Sequence, residues 1–135
     1  MPLKLKKGIK QLVAEANAEI ETVSAKDAVK LKDDPNVVLV DLRDIRELAR
    51  DGRVPGAFHA PRGMLEFWVD PESPYYKEIF GSGKKFVFFC AGGMRSALAA
   101  QAVQRMGLEP VCHIEGGFRA WKESGGPVEI EKPKE

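Results

Sequence analysis

A chain of 135 residues, 44% of them apolar and 30% charged, holds enough apolar side chain for one compact core and is too rich in it for wholesale disorder. Its 21 Lys and Arg against 20 Asp and Glu leave a formal charge of +1, too weak a field to recruit nucleic acid or an anionic membrane. No run nears the roughly 18 apolar residues of a spanning helix, and residues 1–10 lack the apolar block and cleavage site of a signal peptide, so a cytoplasmic location is expected.

Ile9, Leu12, Val13, Ala16 and Ile20 recur at helical spacing, with Lys10, Glu15 and Glu19 elsewhere on the wheel, which predicts an amphipathic helix in need of a surface to lie on. That surface belongs either to its own domain or to a second chain. Ser24 and Asp27 have the spacing of a capping box, so a second helix is expected from Ser24 toward Leu31, stopped by Asp33, Asp34 and Pro35. Residues 37–42 are a short valine-rich run, read as a strand buried on both faces and interrupted only by Asp41. A helix over 45–50 ends near Gly52, and the turn Val54-Pro55-Gly56 leads to a short strand over 57–60 closed by Pro61. A helix is expected over 75–80. The continuous run Phe86-Val87-Phe88-Phe89 before Cys90 predicts the central strand. Ala99, Ala102, Val103 and Met106 then mark a helix ending at Gly107; a strand over 111–114 follows, and a last helix carries Phe118 and Trp121. Alternating strands and helices predict an α/β fold: an open, mostly parallel central sheet with helices on both faces, plus the extra N-terminal helix. Ligands of such sheets sit beyond the carboxyl ends of the strands, where Cys90 falls.

The loop Cys90-Ala91-Gly92-Gly93-Met94-Arg95-Ser96 joins a buried strand to a helix, so its backbone amides can converge on one point and hold an anion. A thiolate is such an anion, and the amides together with the Arg95 guanidinium would favour it, making Cys90 a nucleophile. Gly92 and Gly93 suit a backbone closing tightly around sulfur. The competing readings are an inert buried thiol at Cys90 and an ordinary surface ion pair at Arg95.

The same run resembles the active-site loop of the rhodanese family. Val40-Asp41-Leu42-Arg43-Asp44, Gly52-Arg53-Val54-Pro55-Gly56-Ala57 and Glu115-Gly116-Gly117-Phe118-Arg119-Ala120-Trp121 resemble three further motifs of that family, in the same order. The likeness spans about residues 20–126, with Arg53 standing where the family often has histidine. It implies a thiosulfate-type sulfurtransferase needing no metal or organic cofactor. Cys90 would be the catalytic nucleophile, carrying a persulfide, and Ala91, Gly92, Gly93, Met94, Arg95 and Ser96 would bind the substrate sulfur. A small-molecule donor and an acceptor such as cyanide or a thiol are the implied partners. In the family fold Arg62 and Trp68 would lie near the rim. Related loops that hydrolyse phosphate esters have five residues between cysteine and arginine, whereas Cys90 and Arg95 are separated by four, which favours sulfur transfer over a phosphatase or arsenate reductase. The alternative is a sulfur-binding or regulatory module in which the N-terminal helix docks a partner or forms a homodimer.

The expected organisation is an amphipathic helix over 1–20, a rhodanese-like domain over 21–127 and a charged tail over 128–135. Asp41 and Arg43 are read as a buried structural pair. His59 and His113 sit singly in apolar strands, read as packed rather than catalytic, and with the two cysteines they show no metal-ligand spacing. Cys112 is read as a buried inert thiol, with a resolving role for Cys90 the lesser alternative.

Overall fold

The structure is a computed structural model that describes residues 2–130. Five strands, β1 (Glu21–Val23), β2 (Val37–Asp41), β3 (Phe58–His59), β4 (Lys85–Phe89) and β5 (Val111–Ile114), form one sheet in the order β1-β5-β4-β2-β3, and every pairing is parallel. The phenylalanine-rich β4 lies at its centre, as its apolar run predicts, with Val87 paired to Leu39 on one side and Cys112 on the other. Among the described residues six α-helices complete the fold: α1 (Ile9–Glu19), α2 (Ala25–Leu31), α3 (Ile45–Asp51), α4 (Leu65–Val69), α5 (Met94–Met106) and α6 (Gly117–Glu123). Among the described residues no helix is long and apolar enough to cross a membrane.

Alternation along the strands splits the core in two. Phe86, Phe88 and Val111 pack with Ala16 of α1, Leu65 and Val69 of α4, and the small residues Ala97, Ala99, Ala100 and Val103 of α5. Val87, Phe89, Cys112 and Ile114 face the opposite way, against Ala25 and Ala28 of α2 and Phe118 and Trp121 of α6. Burying each phenylalanine of β4 contributes about 1.5–3 kcal/mol, which is why this strand anchors both layers.

Helix α1 lies on its own domain. It buries Ala16 and the following Ile20 against the α5 layer. Glu19 then ties the helix end down: its carboxylate accepts from Arg105 Nη2 at 3.1 and 3.2 Å and from Gln101 Nε2, and its carbonyl accepts from Gln104 Nε2 at 3.0 Å. Ile9 and Leu12, at the other end of the apolar stripe, stay exposed.

One expectation needs correction, and two elements go unpredicted. No strand is predicted over 21–23, because β1 is short and mostly exposed and exists only through its pairing with β5. The helix expected over 75–80 is absent: only a 3-10 turn at Glu78–Gly81 forms there, since Pro71 and Pro74 commit the preceding backbone to turns. The chain instead makes a 3-10 turn at Arg62–Met64 running into α4, whose apolar face, Leu65 and Val69, is one turn long and too brief for periodicity to reveal. Ser24 does cap α2, accepting from the Asp27 amide at 3.1 Å. The start of the charged tail is pinned, with Glu129 and Arg53 exchanging two backbone hydrogen bonds of 2.9 Å; residues 131–135 lie outside the described residues.

Candidate active site

Strand β4 ends at Phe89, and Cys90 follows as the chain turns into α5. Two amides of that turn converge on the sulfur: the Gly93 N–H donates to Cys90 Sγ at 3.1 Å and the Ser96 N–H at 3.4 Å. These are free donors at the start of a thirteen-residue helix, where the backbone carries partial positive charge. Gly93 adopts φ +106, and a Cβ there would press on the Gly116 amide at 3.3 Å, so only glycine turns the loop at this point. Gly92 has no such constraint: an added Cβ there would meet nothing within 4 Å.

A second segment holds the loop from behind. At α6 the Phe118 amide donates to the Cys90 carbonyl at 2.8 Å and the Arg119 amide to the Ala91 carbonyl at 3.2 Å. Gly117, with φ +60, lies so close that an added Cβ would meet the Ala91 backbone at 2.9 Å. The Gly-Gly start of α6 therefore serves the loop directly, by letting one backbone approach another.

The expected loop residues do not act alike. Gly93 and Ser96 contact the sulfur through their amides. Gly92, Gly93 and Met94 line a cavity of about 530 Å³ together with Asn17, His113 and Glu115. Ala91 lines a second cavity, of about 410 Å³, with Arg43, Phe118, Arg119 and Lys122. Cys90 itself is 1% exposed and lines neither cavity; Gly93, whose amide holds its sulfur, borders the larger one.

Arg95 has a second partner that its place in the sequence does not signal. Its Nη1 and Nη2 donate to Glu47 of α3 at 2.9 and 3.0 Å, so most of its charge is spent on a carboxylate. The Glu47 hydrogen bonds hold the guanidinium pKa above its ordinary value, with the nearby Cys90 sulfur a smaller contributor. Arg95 thus makes a partly buried ion pair with Glu47 beside the loop while its charge also acts on the Cys90 sulfur.

Arg62 and Trp68 line neither cavity. Arg62 pairs with Glu66 at 2.6 Å, and Trp68 packs edge-on against Phe58 in the core, with centroids 6.0 Å apart. Asp41 and Arg43 form the expected buried pair, with Nη2–Oδ2 at 2.8 Å, and Arg43 also donates to the Gly52 carbonyl at 2.9 Å. Arg53 makes an exposed pair with Glu129 at 3.1 Å. His59 Nε2 meets the Arg43 carbonyl at 2.6 Å. Cys112 belongs to the α2/α6 layer, across the sheet from Ser96 and α5, and burial pushes its thiol up to about 11; both features count against a resolving role. Among the described residues no three His, Cys, Asp or Glu side chains group as metal ligands do.

Sequence reasoning passed over one set of contacts. Ser96 Oγ lies 3.7 Å from Cys90 Sγ and 2.9 Å from His113 Nδ1, and His113 Nε2 lies 2.8 Å from Asn17 Oδ1. The four residues are spread over three elements and the loop, with 96 positions between Asn17 and His113, so no local spacing could signal them.

The model of the rhodanese-like domain matches residues 24–124. The chain belongs to the rhodanese-like family. Among solved structures the chain is similar to a protein of unknown function from Rhodopseudomonas palustris CGA009, described there as a "Possible Tyrosine Phosphatase". It is 58% identical, with TM-score 0.92, covering 96% of this chain and 99% of that one. The polysulfide-sulfur transferase homodimer of Wolinella succinogenes is 32% identical with TM-score 0.69, covering 90% and 87%. The Bacillus subtilis (strain 168) protein named "Putative sulfurtransferase YtwF" is 32% identical over 104 residues, 77% of this chain and 89% of its own length. Other relatives are longer: this rhodanese-like chain spans 55% of an uncharacterized Synechocystis protein and 35% of the tRNA uridine(34) hydroxylase of Cronobacter sakazakii. The all-parallel five-stranded sheet with its six helices is the rhodanese-like fold.

Proposed function

We propose that this rhodanese-like chain is a sulfurtransferase that carries a sulfane sulfur on Cys90. The observation that supports it is the pair of α5 amides, Gly93 and Ser96, aimed at the Cys90 sulfur. Donors placed in advance stabilise a sulfur anion without reorganising during reaction.

With thiosulfate as donor, the Cys90 thiolate attacks the outer sulfur; a bond forms to that sulfur, the donor's S–S bond breaks, and sulfite leaves with the electron pair. An acceptor, cyanide or a thiolate, then attacks the outer sulfur of the persulfide and Cys90 leaves as thiolate. This is covalent catalysis in two half-reactions. The persulfide is longer than the thiol by one atom, and Gly93, whose amide holds the inner sulfur, also borders the cavity of about 530 Å³.

The Rhodopseudomonas relative's name raises phosphate-ester hydrolysis as a second reading. A loop with four residues between Cys90 and Arg95, and an Arg95 already committed to Glu47, leave little to grip a tetrahedral phosphoryl group. A docking module built on α1 has less support, because that helix spends Ala16 and Ile20 on its own α5 layer.

The deciding experiment is intact-protein mass spectrometry after incubation with thiosulfate. One added sulfur atom, removed by cyanide and missing in Cys90→Ser, is the expected result. Undiminished loading in Cys90→Ser, or Cys90-dependent phosphate release from an aryl phosphate with no sulfur loading, overturns the reading.

A further inference from the structure

A buried thiol reacts only after it loses its proton, and that proton needs a destination. Amides can stabilise the sulfur anion but cannot accept a proton. Around Cys90 one route is laid out by hydrogen bonds. The Cys90 S–H faces Ser96 Oγ at 3.7 Å, and Ser96 Oγ faces His113 Nδ1 at 2.9 Å, its shorter contact; the alternative acceptor, the Gly93 carbonyl, is at 3.3 Å. On the far side of the ring, Nε2 faces Asn17 Oδ1 at 2.8 Å. A carboxamide oxygen only accepts, so Nε2 carries the ring hydrogen and Nδ1 presents a lone pair to the Ser96 hydroxyl.

We propose that Ser96 and His113 form a proton-accepting chain for Cys90, with Asn17 of α1 setting the ring tautomer that makes the chain work. In the step, the Cys90 S–H bond breaks and its proton passes to Ser96 Oγ while the Ser96 hydroxyl proton passes to His113 Nδ1. The products are a thiolate and an imidazolium, with no change in oxidation state. The thiolate stays under the Gly93 and Ser96 amides; the imidazolium keeps its Nε2–H on Asn17. His113 and Asn17 act through Ser96 and are positioning residues in this scheme. It deepens the sulfur-transfer reading, on which the need for a thiolate rests.

The surroundings of the ring suit the task. Its strand partners are Phe88 on β4 and Thr22 on β1, both uncharged; α5 offers Ser96 and α1 offers Asn17. Cys90 is the titratable group at the far end of the chain. Glu115, two residues along β5's exit, is the charge that acts on the ring and favours its protonated form. Burial, the larger influence, holds the His113 pKa below its ordinary value, so the imidazole is neutral at neutral pH; the cost of charging it in this buried place is offset by the thiolate formed in the same step and by Glu115. Asn17 and His113 both line the larger cavity, through which a proton can later exchange with water.

The proposal also gives α1 a chemical role: the contacts of Glu19 with Gln101 and Arg105 that fasten the helix to α5 hold Asn17 against the ring.

Iodoacetamide alkylation of Cys90, followed at that residue by peptide mass across about pH 5 to 9 on the full chain, tests this. His113→Phe removes the acceptor but also disturbs a buried site, so the informative variants are at Asn17, which is exposed. Asn17→Asp places a carboxylate on Nε2–H, favours the imidazolium and extends alkylation to lower pH. Asn17→Leu lets the ring carry its hydrogen on Nδ1 and moves alkylation to higher pH. The two profiles are expected to separate by roughly one pH unit, and in a Ser96→Ala background the separation collapses. A purely structural Asn17 moves both profiles the same way or neither. A carboxylate acting on the sulfur through space moves Asn17→Asp to higher pH, with or without Ser96. Either result overturns the proposal, as does a Cys90 that resists alkylation at every pH. Alkylation requires no sulfur donor, so the expected pattern together with absent sulfur loading would count against the sulfurtransferase reading alone.

Discussion

Glu47 on α3 and Arg95 at the start of α5 meet in a two-pronged ion pair, with N–O distances of 2.9 and 3.0 Å across 48 positions of sequence. Glu47 has a second duty: its Oε2 accepts from the Asp44 amide at 2.8 Å, completing the capping box that starts α3. One carboxylate therefore joins the cap of a helix on β2's exit to the loop that carries Cys90, and fixes where Arg95 points.

Glu47→Gln keeps an acceptor for the Asp44 amide and removes the charge. Arg95 holds the Glu47 carboxyl below its ordinary value through hydrogen bonding. A depressed folded-state pKa stabilises the fold above the unfolded carboxyl value, and that stabilisation is lost as pH falls through the folded value. Urea unfolding should show Glu47→Gln less stable than the parent by about 1 kcal/mol at neutral pH, the gap closing as acid protonates Glu47. A gap independent of pH would show that the charge is not what matters.

Gly117→Ala introduces a Cβ against the Ala91 backbone at a positive φ. Thermal unfolding should register a loss of about 1–3 kcal/mol, with sulfur loading of Cys90 reduced because the loop is displaced. Gly92→Ala, which meets open space, should unfold like the parent. Equal stability of both variants would contradict the packing described for α6 and the loop.

Removing Asp41 leaves the Arg43 guanidinium, 1% exposed, without its directly bonded carboxylate, keeping the Gly52 carbonyl and the face of Phe118 as its close contacts. Asp41→Ala should cost about 3–5 kcal/mol in chemical denaturation, the range for breaking a buried pair. A loss below 1 kcal/mol would mean that water replaces the carboxylate.

Burial that pushes the Cys112 thiol up to about 11 protects it from alkylating agents in the folded chain. Native labelling near neutral pH should mark Cys90 alone, and labelling in denaturant should mark both. Fast native labelling of Cys112 would require that the α2/α6 layer open readily.

Segments that announce themselves by local pattern were legible: β4 from four consecutive apolar residues, α5 from its period and terminal Gly107, the Cys90–Ser96 loop from a strand meeting a helix through two glycines. The helix read over 75–80 shows where that reading stops, since two tyrosines and an isoleucine near prolines carry no reliable period. Strand β1 could not be read either, because three mostly exposed residues become a strand only when β5 supplies their hydrogen bonds.

From the order of residues alone came the parallel α/β architecture, the central strand and the loop that presents a cysteine to helix amides, because each depends on neighbours a few positions apart. Tertiary structure alone decided that Arg95 faces Glu47, that Gly117 backs the loop, and that Asn17, His113 and Ser96 line up behind one sulfur. Those contacts join groups up to 96 positions apart, and such groups meet only after the sheet has chosen its strand order and the helices have settled on its two faces.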